Sequence, residues 1–312
     1  MAEAINTLAG LIQINNLNNA DLNVSDLLQD APLIAALTAV EASNGTNHSY
    51  LKETVAEGVA FRAINAGVTN ANSQDEEVSI VLKALDAAYD VDTAFTQKVR
   101  GGLEAYLEKR TMRKLAAAFS YSEKQIIYGT GNAAGGFAGL LTSAYLNGLA
   151  DDMVIQPGTP GTTADEQSSV LFLRSTEDDV AYVAGNDGQI EVYDPVLISK
   201  VEDPGTTNTT YGAWFVNILG YGGVQYGSQF SAGRICNVET SLTDDDLGSM
   251  LSKFPSNRQP NIISMNRASL ELLRSSRTAV NTVGAPAPTP SDYMGIPIIP
   301  TDSFTQTEAI VA

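Results

Sequence analysis

The sequence predicts an α+β protein in which one long helix and extended, polar-tipped segments are attached to a compact mixed α/β lobe. Three stretches carry this expectation. Residues 45–88 alternate apolar and polar side chains, residues 92–125 repeat apolar side chains at helical spacing, and residues 150–290 mix short strands with two capped helices.

Residues 1–44 are rich in Asn and Leu. Leu8, Leu11 and Ile12 fit one helical turn, which Asn15, Asn16, Asn18 and Asn19 end. Ser25 suits an N-cap for a short helix through Leu27 and Leu28; Pro32 interrupts it, and a helix resumes over Leu33–Ala42. This stretch is too small to bury a core of its own, so it is expected to pack as an arm on something else.

In residues 45–88, Val55, Val59, Phe61 and Ala63 alternate on the outgoing strand, and Val78, Ile80, Leu82 and Ala84 on the return. The connection Asn65–Glu77 is polar and small, and Glu76 and Glu77 read there as solvated. A two-stranded hairpin is marginal alone, so it is expected to need a neighbour. The helix over 92–125 places Phe95, Val99, Leu103, Tyr106 or Leu107, and Phe119 on one stripe. Gly101 and Gly102 weaken or bend it locally, and its length is roughly 45–50 Å at 1.5 Å per residue.

Beyond residue 150, Val170–Leu173, Val180–Val183 and Gln189–Tyr193 read as strands, with Gly185-Asn186-Asp187-Gly188 as a turn between the last two. Trp214–Leu219 and the Gly-rich Tyr221–Phe230 follow. Thr243 caps a helix whose first turn is Asp244, Asp245 and Asp246, with Leu247, Met250, Leu251 and Phe254 buried and Pro255 closing it. Asn266 caps a second helix with Leu270 and Leu273. A Pro/Ala/Thr stretch at 284–290 leads to a strand over Gly295–Pro300.

Composition narrows the function classes. The chain has 312 residues, 44% hydrophobic and 17% charged, which suits one elaborated domain or two interleaved lobes. The net charge is −18, and no Lys/Arg-rich block stands out, which argues against sequence-specific nucleic-acid binding. The acidity fits either a container that does not stick to its contents or simple solubility. The start, Met1-Ala-Glu-Ala, has no signal-peptide pattern, and no run approaches the roughly 18 apolar residues of a membrane helix. A soluble protein made in a reducing cytoplasm is the expectation.

No catalytic, cofactor-binding or metal-ligating residue is assigned. His48, the only histidine, lies in a loop-like Asn-Gly-Thr-Asn-His-Ser context and reads as a surface residue. Cys236, the only cysteine, reads as a buried inert thiol rather than a nucleophile. The cluster Gly129-Thr-Gly131-Asn-Ala-Ala-Gly135-Gly136 follows a helix, so it reads as a helix stop rather than a phosphate loop. Asp244–Asp246 lacks the spacing of a calcium loop. The sequons at Asn23, Asn44, Asn47 and Asn208 carry no weight without secretion.

Several stretches resemble the Hong Kong 97 fold of tailed-bacteriophage major capsid proteins. Tyr50–Ile64, with its Glu57-Gly58 step, resembles the first strand of that family's extended loop, and Ser79–Asp92 its return into the spine helix. Glu123 through Gly129-Thr-Gly131, then Gly136-Phe-Ala-Gly139-Leu-Leu-Thr, resembles the helix exit. Ile263-Ser-Met-Asn266 and Tyr293-Met-Gly295-Ile-Pro297-Ile-Ile resemble the closing pattern. The similarity spans about residues 27–312, and the shared order of the stretches carries it.

The resemblance implies an N-terminal arm at 1–44, an extended hairpin loop at 45–88, a peripheral domain with the spine helix at 89–150, an apical domain at 151–290 and a return strand at 291–312. It implies hexamers and pentamers of an icosahedral phage head around double-stranded DNA, assembled in the cytoplasm of a bacterial host. The hairpin would lie over a neighbouring subunit, the arm would strap across one, and the apical lobe would point at capsomer centres. Scaffolding, portal and decoration proteins are the further partners implied. The arm is shorter than a built-in scaffold, so a separate scaffolding protein is the expectation. Some relatives join a hairpin Lys to a neighbour's Asn; Lys52 is the conceivable donor here, against a plain surface lysine. An encapsulin-like nanocompartment shares the fold, and an acidic surface-layer or adhesin protein is the alternative of another class.

Overall fold

The computed structural model describes residues 31–55, 61–67, 74–96, 102–143, 145–149, 152–188, 190–203, 207–280 and 286–311. It starts with helix α1 (Pro32–Ala36), strand β1 (Thr38–Glu41) and the strands β2 (Asn47–Val55) and β3 (Gln74–Val81). Strands β4 (Lys83–Asp86) and β5 (Tyr89–Asp92) lead through a short helix, α2 (Thr93–Thr96), to the long helix α3 (Gly102–Tyr128). Next come β6 (Val154–Ile155), β7 (Ser168–Leu173), β8 (Val180–Ala184), β9 (Glu191–Val192), β10 (Val196–Asp203), β11 (Thr207–Val216), β12 (Ile218–Tyr226) and β13 (Ala232–Val238). Helix α4 (Asp244–Leu251), β14 (Ile262–Met265), helix α5 (Arg267–Val280), β15 (Asp292–Tyr293) and β16 (Ile296–Pro300) complete the order.

Four sheets result. The lobe is built on the order β15-β16-β14-β7-β13-β6. Its inner strand β7 is buried at every position, as its unbroken Val-Leu-Phe-Leu run requires when both faces are covered. Helices α4 and α5 bury Leu247 and Met250, and Leu270 and Leu273. Both caps form as their sequences predict. Thr243 and Asp246 make a reciprocal capping box, and Asn266 Oδ1 accepts from Ser269 N–H at 2.6 Å. A second sheet has the order β1-β8-β12-β4, with β9 also on β12. The third, β10-β11-β5, ties a long hairpin to the strand that precedes α3, and the fourth is the β2-β3 hairpin.

Helix α3 has 27 residues, hence a length of about 40 Å. It ends later than the apolar spacing predicts, Thr93–Thr96 before it is helical as well, and residues 97–101 lie outside the described residues. Tyr89–Asp92 pairs with β11, which takes residue 92 into a sheet. At its end Gly129 turns with φ +54°, and a Cβ there would lie 2.1 Å from the Gly139 nitrogen. Two glycines are thus needed where the chain leaves the helix and returns against it. This is the helix stop expected of the glycine cluster.

The N-terminal expectation needs correcting. Pro32 begins α1, as proline suits the first turn of a helix, and the chain is extended from Thr38, where β1 pairs in parallel with β8. Ala31, Leu33, Ile34 and Leu37 are completely buried in this chain's own core. Ala31–Leu37 therefore pack into the core of their own subunit. The helices expected before Pro32, and Val59 and Val99, lie outside the described residues.

The Gly185–Gly188 turn also differs from its expectation. Strands β8 and β9 both run antiparallel to β12, so the turn offsets one strand line and reverses nothing. Asn186 and Gly188 have φ of +54° and +73° there. The hairpin β10-β11 adds a strand over Val196–Asp203 where the sequence pattern predicts none.

Candidate functional site

The distinctive feature of the described residues is the β2-β3 hairpin and the way it is seated. Alternation along β2 puts His48, Tyr50 and Lys52 on one face, toward the end of β12. The His48 imidazole Nε2 lies 2.9 Å from Gln225 Oε1, and its Nδ1 lies 3.0 Å from Ser43 Oγ. The Tyr50 hydroxyl donates to the Tyr226 carbonyl at 3.2 Å, and burial raises its pKa. The Lys52 ammonium sits 4.5 Å from the Tyr145 ring centroid and 5.9 Å from that of Tyr226. Those two rings are themselves stacked at 5.9 Å.

Two expectations change here. His48 is 7% exposed and lies in a strand, so it is a buried seat residue instead of a loop residue. Lys52 is half-buried over two tyrosines and is no plain surface lysine. A local loop-like composition around His48 could not reveal the Gln225 partner, which is 177 residues away.

The opposite side of the hairpin is solvated. Leu51 is 68% exposed there, with exposed Glu77 directly across from it and exposed Asp75 on the same face, while exposed Glu76 pairs with Lys52 on the seat side. Both glutamates are solvated as expected, though on a strand. Phe61 and Ala63, expected on the outgoing strand, lie instead in an irregular segment that turns at Ala63–Ala66. Phe61 and Ile64 are fully exposed there.

Buried polar groups with no local sequence signature fix helix α1 and the segment after β16. Glu123, completely buried on α3, accepts from Leu33 N–H at 2.8 Å, from Ile34 N–H at 3.2 Å and from the Thr301 hydroxyl. Desolvation raises its pKa, and the four donors, Thr301, Ser303, Ile34 and Leu33, oppose the rise. The available signal was an acid inside the apolar stripe Phe119, Ile126 and Ile127. Near the C-terminal end, Arg234 and Glu308 form a buried ion pair at 3.0 Å. Arg234 also donates to Ser169 Oγ and the Leu146 carbonyl, both at 2.9 Å, and Tyr128 donates to Glu308 at 2.6 Å.

The remaining candidates have structural partners. Cys236 is buried in β13, donates to the Ile155 carbonyl, and burial pushes its thiol to about 11. Asp244 pairs with Arg277 at 2.7 Å, and Asp246 caps α4 and accepts from Gly158 N–H at 2.8 Å. Among the described residues no group of three or more His, Cys, Asp or Glu could hold a metal ion, and no helix is long and apolar enough to cross a membrane.

The fold as a whole is similar to that of solved phage capsids. The capsid structure of bacteriophage Epsilon15 matches with a TM-score of 0.57 and 17% identity, over 88% of this chain and 87% of that one. The capsid of bacteriophage JBD30 matches with a TM-score of 0.50 and 10% identity, over 93% and 97%. An encapsulin from Synechococcus elongatus follows with a TM-score of 0.40 and 11% identity, over 73% and 95%, a likeness too distant to bear on function. No curated protein sequence matches. The fold is thus that of Hong Kong 97-like phage capsid proteins. The family profile of the major capsid protein GP7 matches residues 18–312, so the chain belongs to that family. It is a major capsid protein, a structural component of the virion shell.

Proposed function

We propose that the protein assembles with copies of itself into hexamers and pentamers of an icosahedral phage head around double-stranded DNA. The observation that supports this reading best is the hairpin. It is seated on its own chain by His48, Tyr50 and Lys52 and presents Leu51, Phe61 and Ile64 to solvent. Apolar side chains on an element without a core of its own are stabilised when another subunit covers them.

In this reading residues 45–88 form the extended loop over a neighbour, 89–150 the peripheral domain with the spine, 151–290 the apical domain and 291–312 the return strand. Within the arm at 1–44, residues 31–41 serve the subunit's own core. The role is structural, without catalysis, metal or cofactor. Assembly takes place in the host bacterial cytoplasm, with scaffolding, portal and decoration proteins as further partners and DNA held without sequence readout.

The test is a variant carrying Phe61→Ser and Ile64→Ser. Its unassembled subunit should unfold at the wild-type midpoint, while shells and capsomers seen by negative stain and sedimentation fall several-fold. A wild-type protein that stays monomeric at high concentration under every condition would defeat the reading. Equal loss of folding and assembly in the variant would place the tip in the subunit core. DNA inside purified particles separates a phage head from a nanocompartment filled with protein cargo.

A further inference from the structure

Lys109, Arg110, Arg113 and Lys114 gather on one side of α3, in a chain whose net charge is −18. Their spacing stacks two cations above two others within little more than one helical turn. With Tyr106 and Ala117 they line a groove of about 390 Å3. Among the described residues none of the four has an ion-pair partner; Arg110 lies over the Tyr89 ring at 5.0 Å.

The chain enters the described structure beside the same helix, with Leu33 and Ile34 donating to Glu123. Lys109 stands two heptads before Glu123 on α3. It therefore lies within about 40° of the same line and roughly 21 Å along the axis. Residues 1–30, which precede this anchor, contain Glu3, Asp21, Asp26 and Asp30 and no Lys or Arg. Ten extended residues reach about 33 Å, so Asp21 and Asp26 have enough tether to arrive at the cationic face.

We propose that residues 1–30 dock on the cationic face of their own spine helix and neutralise Lys109, Arg110, Arg113 and Lys114. Charge complementarity and tethering both favour this occupant. A tethered acid acts at an effective concentration in the millimolar range. A free polyanion must approach a chain that repels it overall. The docking does not depend on shell assembly.

The test is zero-length carbodiimide coupling of the full-length protein at low salt, with the links mapped by mass spectrometry. Amide links from Asp21, Asp26 or Asp30 to Lys109 or Lys114 are expected, reduced several-fold when Arg110→Glu and Arg113→Glu are combined. The Asp90–Lys200 pair, at 2.7 Å, should couple in every sample and reports an intact fold. In mixtures of isotopically light and heavy protein, the links should join residues of one chain only. The proposal is overturned if Asp90–Lys200 couples while Lys109 and Lys114 do not, or if the links join light to heavy chains. It is overturned equally if mixed-sequence duplex DNA shields Lys109 and Lys114 of the full-length protein from acetylation, which would assign the face to nucleic acid.

Discussion

Replacing Glu123 by Ala should loosen helix α1 and the segment after β16 at once. Its carboxylate satisfies the Leu33 and Ile34 N–H groups at the start of α1 and the Thr301 hydroxyl just after β16. Removing it strands two backbone donors in a fully buried place, at about 1–3 kcal/mol each. The Thr301 hydroxyl can rotate, and deleting a desolvated acid gives some stability back, so the expected net loss is about 2–4 kcal/mol. Glu123→Gln should cost under about 1 kcal/mol, because its carbonyl can face Leu33 and Ile34 while its NH2 donates to Thr301. Urea unfolding of unassembled subunits, followed by the fluorescence of the sole tryptophan, Trp214, measures both. The pH dependence supplies a sign. Burial raises the folded pKa of Glu123 above its unfolded value, so this group's stabilisation is complete below the unfolded value, near 4.3. It is lost as pH rises through the folded value. Acidification from neutral pH should therefore stabilise the wild type relative to Glu123→Gln. A Gln variant as damaged as the Ala variant, or a wild type that loses stability relative to Gln on acidification, would refute the reasoning.

Glu239 should behave with the opposite sign. Donors from Thr163, Gln167 and Thr162 hold its carboxyl at about 2, so its stabilisation is present above the unfolded value and fades as pH falls toward 2; titration by carboxyl NMR reads this directly. Gly129→Ala should cost more than about 3 kcal/mol, since positive φ and a backbone clash with Gly139 combine. Gly45→Ala, also at positive φ but with open space around it, should cost only about 1–2 kcal/mol; thermal unfolding compares the pair. Lys52→Met keeps the aliphatic stem and loses the charge over Tyr145 and Tyr226, so a loss of about 0.5–2 kcal/mol is expected in urea unfolding.

What the sequence determined by itself is local. The caps at Thr243 and Asn266 act over three residues, the apolar run of β7 demands two covered faces, and the glycines at 129 and 139 allow a backbone approach closed to any Cβ. The alternation of residues 45–88 sufficed to show a hairpin, although Phe61 and Ala63 fall outside its strands. Tertiary structure decided the rest. Thr38–Glu41 became a strand because β8, more than 140 residues later, offers it a parallel edge. His48 is buried because Gln225 and Ser43 meet its two ring nitrogens, and Glu123 ties α1 to Thr301 because both converge on one helix. A cap or a turn is fixed by neighbours in sequence; a strand edge or a buried polar group is fixed by partners that only the folded chain brings within hydrogen-bonding distance.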